Sequence, residues 1–463
     1  MSSLNLWGVV TCLALAGCSF VPTYVRPEAP VAATWRGQPE TPATPPPDWQ
    51  RMFNDRDLRE LITQALAHNR GLRIAVQRID EARALLGIAS AELWPTLGLK
   101  GATQRQQRSA LDSPTGERQI IEQGRFSLGV GITAYELDIW GRVRALRESA
   151  GQQVLASEED ARAVQVSLVA EVAAAYYESL AYLSLYEGHG QLLAAGERAL
   201  ALIERRQGQG LASELEVRQA HAVVLGLASE QASAERAHVL AVNRLELLSG
   251  SAVAPFKMQP VALEGEQVLA PVAAGLPSAL LTQRPDIRAA EARLKAYNAN
   301  IGAARAAYLP RISLTGLLGG SSPELNQLFR GGARAWSFVP EVALPVFDFG
   351  RRGSQLAVAN AQRDIAVSEY EKAIQQAFRE VADALGSTEP LRRELEAQRL
   401  LVANERRRVE LATLLYEDGL NSYLEVLDAQ RSLSSAQQGF IRAQLAGLGN
   451  RLSLYKALGG GWG

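Results

Sequence analysis

Two halves of this chain carry the same landmarks in the same order, about 210 residues apart. Gly210-Leu211-Ala212-Ser213-Glu214-Leu215-Glu216-Val217 returns as Gly419-Leu420-Asn421-Ser422-Tyr423-Leu424-Glu425-Val426, and Trp140-Gly141-Arg142 returns as Phe349-Gly350-Arg351. Leu93-Trp94-Pro95 returns as Tyr308-Leu309-Pro310 at a slightly longer offset. Landmarks repeated in order mean that one structural unit is used twice.

Within each half the hydrophobic period changes in the same sequence. Residues from about 57 to 92 are rich in Ala, Leu and Arg and free of Pro, which reads as helix, and Pro95 ends it. Phe126, Leu128, Val130, Ile132 and Ala134 are then apolar at every second position, with Arg125, Ser127, Gly129, Gly131 and Thr133 between them. That is a strand with one oily face and one small or polar face. The second half offers Trp336, Phe338, Val342 and Leu344 alternating with Ser337, Glu341 and Ala343. Shorter alternating stretches start at Leu97 and Ile312, and each is expected to pair with its longer strand through a polar loop, roughly 104–123 and 319–333. A half-buried sheet of a soluble protein alternates too; the small, polar second face favours the lumen of a transmembrane barrel.

Helices resume at Gly141 and Gly350 and run with few breakers to about 207 and 416. Val169, Ala173, Tyr176, Leu180 and Leu183 step by fours and threes, as do Ile374, Phe378, Val381 and Leu385, the seam spacing of a coiled coil. At about 1.5 Å per residue, such a helix is about 100 Å long, far more than a globular domain needs. Gly188, Gly190, Gly386 and Pro390 are candidate bend points. After each Gly-Leu-x-Ser turn the chain returns as a helix, the second ending near Leu458. The expected organisation is a signal peptide (1–17), a lipid-anchored tether with the Pro-rich stretch Pro42 to Pro47 (18–56) and a first repeat (57–250). An irregular connector punctuated by Pro255, Pro260, Pro271 and Pro277 (251–285), a second repeat (286–458) and a short tail (459–463) follow.

Leu6 to Ala16 has the length of a signal-peptide core and is too short to span a bilayer. It ends in Leu15-Ala16-Gly17-Cys18, which resembles the bacterial lipobox, although Met1-Ser2-Ser3 supplies no basic residue ahead of it. Cys18 is therefore the candidate acceptor of diacylglycerol and palmitate, and Ser19 after it resembles the pattern that sends lipoproteins to the outer membrane. Cys12 leaves with the signal, so the mature chain forms no internal disulfide. A net charge of −1 leaves no footprint for nucleic acid. His68, His189, His221 and His238 show no metal-ligand spacing, and no HExxH, Walker loop, GxSxG or CxxC occurs, which argues against an enzyme and against a resident metal or cofactor.

Four amphipathic strands are too few to close a barrel, and open edges are not tolerated in lipid, so the strands must be pooled between copies. Two copies give eight strands, whose side chains fill the interior; three give twelve and leave a lumen. The expected fold is mainly α with transmembrane β, a tube in the outer membrane continued by a helical tube about 100 Å into the periplasm.

Several of these segments also resemble a family. The lipobox followed by Val21-Pro22-Thr23-Tyr24-Val25-Arg26-Pro27, the run Asp138-Ile139-Trp140-Gly141-Arg142, Arg284-Pro285-Asp286-Ile287 and the segment Gly419 to Gln430 are similar to the OprM-like lipoprotein branch of the TolC outer-membrane factors, from Cys18 to about Leu458. The resemblance implies a homotrimer with a twelve-stranded β-barrel and a twelve-helix periplasmic α-barrel. It implies as partners a periplasmic adaptor (membrane fusion protein) and an inner-membrane transporter of the resistance–nodulation–division class. Such a duct is a passive exit for antibiotics, dyes, detergents or solvents.

Two sets of residues follow. Gly210 and Gly419 supply left-handed turns, Leu211 and Leu420 stand exposed on them, and Ser213 and Ser422 are placed to cap the returning helices; these tips are expected to dock the adaptor. By the resemblance, Leu424 and Asp428 face inward near the narrow end with Tyr416 across the turn, stacking a leucine ring and a cation-favouring carboxylate ring that raises its own proton affinity. The first half has Leu215 and Gln219 at the matching places, and Leu415 stands where many relatives carry an arginine, so an ion pair made by that arginine must be absent or replaced. The competing readings are a lipoprotein adaptor, which needs only one hairpin and a compact β-domain, an outer-membrane enzyme, and a type I secretion duct.

Overall fold

Regular structure in the first half begins with α1 (Trp49–Met52), α2 (Arg56–His68) and α3 (Arg70–Ala91), followed by β1 (Leu97–Gln107), β2 (Glu122–Glu136), α4 (Arg142–Gly208) and α5 (Glu214–Ser249). The second half repeats the order with α6 (Pro285–Ala306), β3 (Arg311–Ser322), β4 (Arg334–Ala343), α7 (Arg351–Glu417) and α8 (Tyr423–Ala457). This computed structural model describes residues 19–31, 48–107, 122–252 and 282–460. Cys18, the Pro42–Pro47 tether and the connector prolines lie outside the described residues.

The long helices α4 and α7 are each 67 residues, and they run through Gly188, Gly190, Gly386 and Pro390 without ending. The stretch read as one helix from about 57 to 92 is instead two. Asn69 leaves helical geometry at ψ 128°; its Oδ1 accepts from the Leu72 N–H at 2.9 Å, and its Nδ2 donates to the Leu248 carbonyl of α5 at 2.9 Å. Local propensity hides this break, because a contact about 180 residues away in sequence decides it. The strands are also longer than their alternation. β1 runs to Gln107, β2 starts at Glu122 and β3 runs to Ser322, inside the segments expected to be loops. Ladder pairing needs only backbone groups, so polar residues continue it, and two short 3₁₀ turns (Leu325–Gln327 and Gly331–Ala333) complete the second connection.

The chain packs as two compact units, each drawn from both halves. The first holds Met1–Glu28, Arg78–Ser157 and Ala290–Tyr370. Its four strands form one antiparallel sheet in the order β1-β2-β3-β4. The register puts Leu99, Val130, Leu318 and Trp336 in one row across all four strands, while Lys100, Gly129, Gly319 and Ala335 fill the adjacent row on the other face. This row and the next, Leu97, Ile132, Gly316 and Phe338, are free of polar side chains, whereas the same face carries Arg334, Thr103 and Ser322 toward the other end; the apolar row is uncovered, with Leu99 73% and Trp336 77% exposed. The β2–β3 seam, where the two halves meet, rests on glycine. A Cβ on Gly131 would lie 2.0 Å from the Gly316 carbonyl oxygen, and one on Gly319 would lie 2.1 Å from that of Leu128.

The segment Val21 to Arg26 straps onto α6 in this unit. Val21 lies over Gly302, Asn298 Nδ2 donates to the Pro22 carbonyl at 2.7 Å, and Glu291 accepts from Tyr24 (3.1 Å), from Arg26 (2.7 and 3.0 Å) and from Lys295 (3.1 Å). Burial pushes the Glu291 carboxyl up, but the hydrogen bonds and charges of Arg26 and Lys295 outweigh it and leave the group below its ordinary range.

The second unit holds Ala29–Gln77, Glu158–Ala289 and Glu371–Gly463. Its main core packs Leu58, Leu61 and Ile62 of α2 against Val169, Val172, Tyr176 and Leu180 of α4, Leu245 of α5 and Leu452 of α8. The Tyr176 hydroxyl donates to Asp55 at 2.8 Å, and the same carboxylate caps α2. Arg284 is buried and closes this unit near the end of α8. It donates to Asp286 (2.6 and 3.0 Å), to Glu380 of α7 (2.9 Å) and to the Ala457 carbonyl (2.7 Å).

Candidate functional site at the helical tips

Both helical hairpins end in the same turn. Gly210 and Gly419 sit at φ +74° and +73°, a region that glycine enters without steric cost. The Leu211 N–H bonds back to the Arg206 carbonyl and the Leu420 N–H to that of Leu415, each at 2.8 Å, closing a Schellman motif at each tip. With the backbone satisfied in this way, Leu211 (66% exposed) and Leu420 (71%) project into solvent. The two serines differ. Ser213 forms a full capping box with Glu216, and the hydrogen bonds from Ser213 hold the Glu216 carboxyl below its ordinary range. Ser422 makes no side-chain cap, contrary to expectation, because the Glu425 N–H bonds to the Ser422 carbonyl at 3.2 Å instead.

Behind the turns all four helices share one core, with Ile203 of α4, Val217 of α5, Ala412 of α7 and Tyr423, Val426 and Leu427 of α8. Tyr416 packs edge-on against Tyr423 with ring centroids 5.0 Å apart. Burial first, and the neighbouring Tyr416 second, push the Tyr423 phenol up to about 12. Arg206 reaches over from α4, donates to the Tyr416 hydroxyl at 2.7 Å and lies 5.4 Å above its ring. Tyr416 thus ties the first hairpin to the second.

Leu424 and Asp428 are both exposed, one turn apart on α8, and line a groove with Gln219, Val223, Leu227 and Glu230 of α5 and with Arg431. Asp428 is not a bare carboxylate as the sequence led us to expect. Arg408 of α7 donates to it, to Ser432 Oγ (3.2 Å) and to Glu405 (3.3 Å). The hydrogen bonds to Asp428 and Glu405 hold the Arg408 guanidinium above its ordinary range. Further from the tips, buried His189 of α4 has Nδ1 3.5 Å from Glu230 and 3.4 Å from Ser434 of α8, while Ser434 donates to Glu230 at 2.6 Å. Burial pushes the imidazole pKa down, and Glu230 opposes this in part. The matching places of the second half hold Gln398 and Gly439, which are in contact but cannot titrate.

Arg408, Arg206 and the His189–Glu230 pair escaped the sequence reading, yet a signal for two of the three was present. Arg408 lies ten residues before Asp418 and Asp428 ten after, and His189 and Glu230 flank the first tip in the same way. Positions equidistant from the turn of an antiparallel hairpin meet. No group of three or more His, Cys, Asp or Glu that could hold a metal occurs among the described residues, and none of their helices is apolar enough to cross a membrane.

A duplicated chain with an uncovered oily sheet and two coupled helical hairpins defines a membrane-channel subunit of the TolC-like kind. The family described as "Outer membrane efflux protein" matches residues 61–251 and 276–460, and the chain belongs to it. It is similar to the toluene efflux pump outer membrane protein TtgC of Pseudomonas putida, 43% identical over 460 residues covering 98% of this chain and 94% of that protein. A membrane protein from Pseudomonas aeruginosa of known crystal structure shares 42% identity with a TM-score of 0.89, covering 96% of this chain and 98% of that one. The open state of the Neisseria gonorrhoeae MtrE outer membrane channel shares 33% identity with a TM-score of 0.84, covering 96% and 98%.

Proposed function

We propose that three copies of this chain form the outer-membrane exit duct of a tripartite efflux pump, anchored by acyl chains on Cys18. The observation that carries the reading is the sheet: apolar rows run across four strands whose outer members, β1 and β4, have no further strand partner among the described residues. Three sheets joined edge to edge make twelve strands, enough to enclose a lumen, with the oily rows facing lipid. Val21 lies over Gly302, near the end of α6 that leads into β3, which supports an acyl anchor on nearby Cys18. The exposed leucines of the two tips meet a periplasmic adaptor, which connects the duct to an inner-membrane transporter of the resistance–nodulation–division class. Cargo moves passively, and toxic small organic compounds are the cargo class that the name of TtgC supports.

Leu424 and Asp428 form the closed end, held by the Arg206–Tyr416 contact between the two hairpins. Purified protein in planar bilayers is expected to run as a heat-modifiable oligomer and to conduct. Leu424→Ala with Asp428→Ala should raise single-channel conductance and sensitise cells to large antibiotics. An oligomer that never conducts would reject the duct; a conducting one unaffected by the double substitution would move the constriction elsewhere.

A further inference from the structure

The narrow end of such a duct has a charge, and the side chains around Asp428 specify it. A ring of three bare carboxylates would draw cations and repel anions. In this chain each Asp428 carboxylate is instead engaged by Arg408, a residue on the opposite arm of the same hairpin. Arg408 is itself fixed at two further points, Glu405 on its own helix and Ser432 on α8. Arg431, one turn beyond Asp428, lines the same groove. Around Asp428 itself, Arg408 therefore supplies the counter-charge within each chain before any copy is added. The first half contributes no charge at the equivalent place, where Gln219 stands.

We infer that Arg408 is the counter-charge of the gate carboxylate, making the constriction close to electroneutral and open to anionic as well as cationic cargo. The inference rests on the reading of Leu424 and Asp428 as the constriction. A cargo molecule passing this level meets a guanidinium and a carboxylate side by side, so neither sign of charge is turned away. Because both partners sit on one hairpin, the balance survives rigid movement of that hairpin and holds in the open duct as well as in the closed one.

Reversal potentials of the purified trimer across a salt gradient test this, with heat-modifiable migration as the check on assembly. Arg408→Gln should raise the cation-over-anion permeability ratio about ten-fold near 0.1 M salt, because three uncovered charges at about 8 Å, after screening, favour a cation about three-fold and disfavour an anion about three-fold. Asp428→Asn should shift the ratio the opposite way, the double variant should return it to the starting value, and Arg408→Lys should leave it there. An unchanged ratio in Arg408→Gln alongside a shift in Asp428→Asn would overturn the role of Arg408 and leave the gate in place. No shift in any variant would show that the constriction lies elsewhere, and the inference would fall with it.

Discussion

Arg284 is the most heavily committed charge in the helical unit, and its removal has a calculable cost. Its side chain is 7% exposed, and Arg284→Ala strands three acceptors of different kinds. Asp286 is 42% exposed and recovers water readily. Glu380 is 31% exposed and keeps a hydrogen bond from Gln376 at 3.1 Å. The carbonyl of Ala457, the last residue of α8, loses a 2.7 Å bond with little water to replace it. Breaking a buried pair costs about 3–5 kcal/mol, and the hydration left to both carboxylates argues for the low end, about 3 kcal/mol. For a unit of about 270 residues that corresponds to a fall of about 5 °C in apparent Tm. Melting followed by circular dichroism in detergent, at matched protein concentration, measures it. Arg284→Lys, which can keep one of the bonds, should fall between. A melting point for Arg284→Ala within about 2 °C of the parent would refute the claim that this network holds α6, α7 and α8 together.

Three other outcomes are expected. His189 is held neutral by burial, so its folded pKa lies below the ordinary 6.5, and its contribution to stability is complete above that value and lost as pH falls through the depressed one. His189→Gln should therefore flatten the loss of thermal stability below about pH 6.5, and an identical acid limb in both proteins would remove His189 as its source. Gly131→Val should abolish the heat-modifiable oligomer because its side chain would occupy the Gly316 carbonyl, while Gly98→Val, with nothing within 4 Å, should be tolerated; equal effects would show that the seam does not need glycine. Ser213→Ala should cost about 1 kcal/mol in thermal unfolding and Ser422→Ala only a few tenths, the difference between a formed and an unformed cap.

What the sequence made legible was whatever repeats with a period. Alternation in Phe126 to Ile132 and again in Trp336 to Val342 identified the oily face, because a strand sends every second residue the same way, but it did not show the bulge between Ile132 and Tyr135, where Ala134 turns to φ +51°. Seam spacing from Val169 to Leu180 likewise marked residues that the core buries. Contacts between distant segments carry no period. Asn69 breaks a helix for a carbonyl on α5, and Glu425 bonds to the Ser422 carbonyl rather than its side chain, so both departures follow from three-dimensional context. The Val21–Pro27 and Arg284–Ile287 segments were recognisable as family marks before their physical purpose was visible. The first serves Glu291 and the second serves Glu380 and Ala457. On α8 the sequence placed Leu424 and Asp428 one turn apart, and Arg408 became legible only by counting equal distances from the Gly419 turn along both arms of the hairpin.

The two edge strands, which lack a second strand partner among the described residues, have a consequence for inheritance. β1 presents 11 residues and β4 presents 10, and under threefold assembly each waits for the opposite edge of a neighbour. A chain damaged along β4 alone still offers an intact β1, so it can join a sound neighbour and then leave the ring unable to close. Damage at the β2–β3 seam spoils the sheet before either edge is displayed, and such a chain never engages its neighbours. Mutations of the first kind should poison sound copies made in the same cell, whereas those of the second should be masked by them.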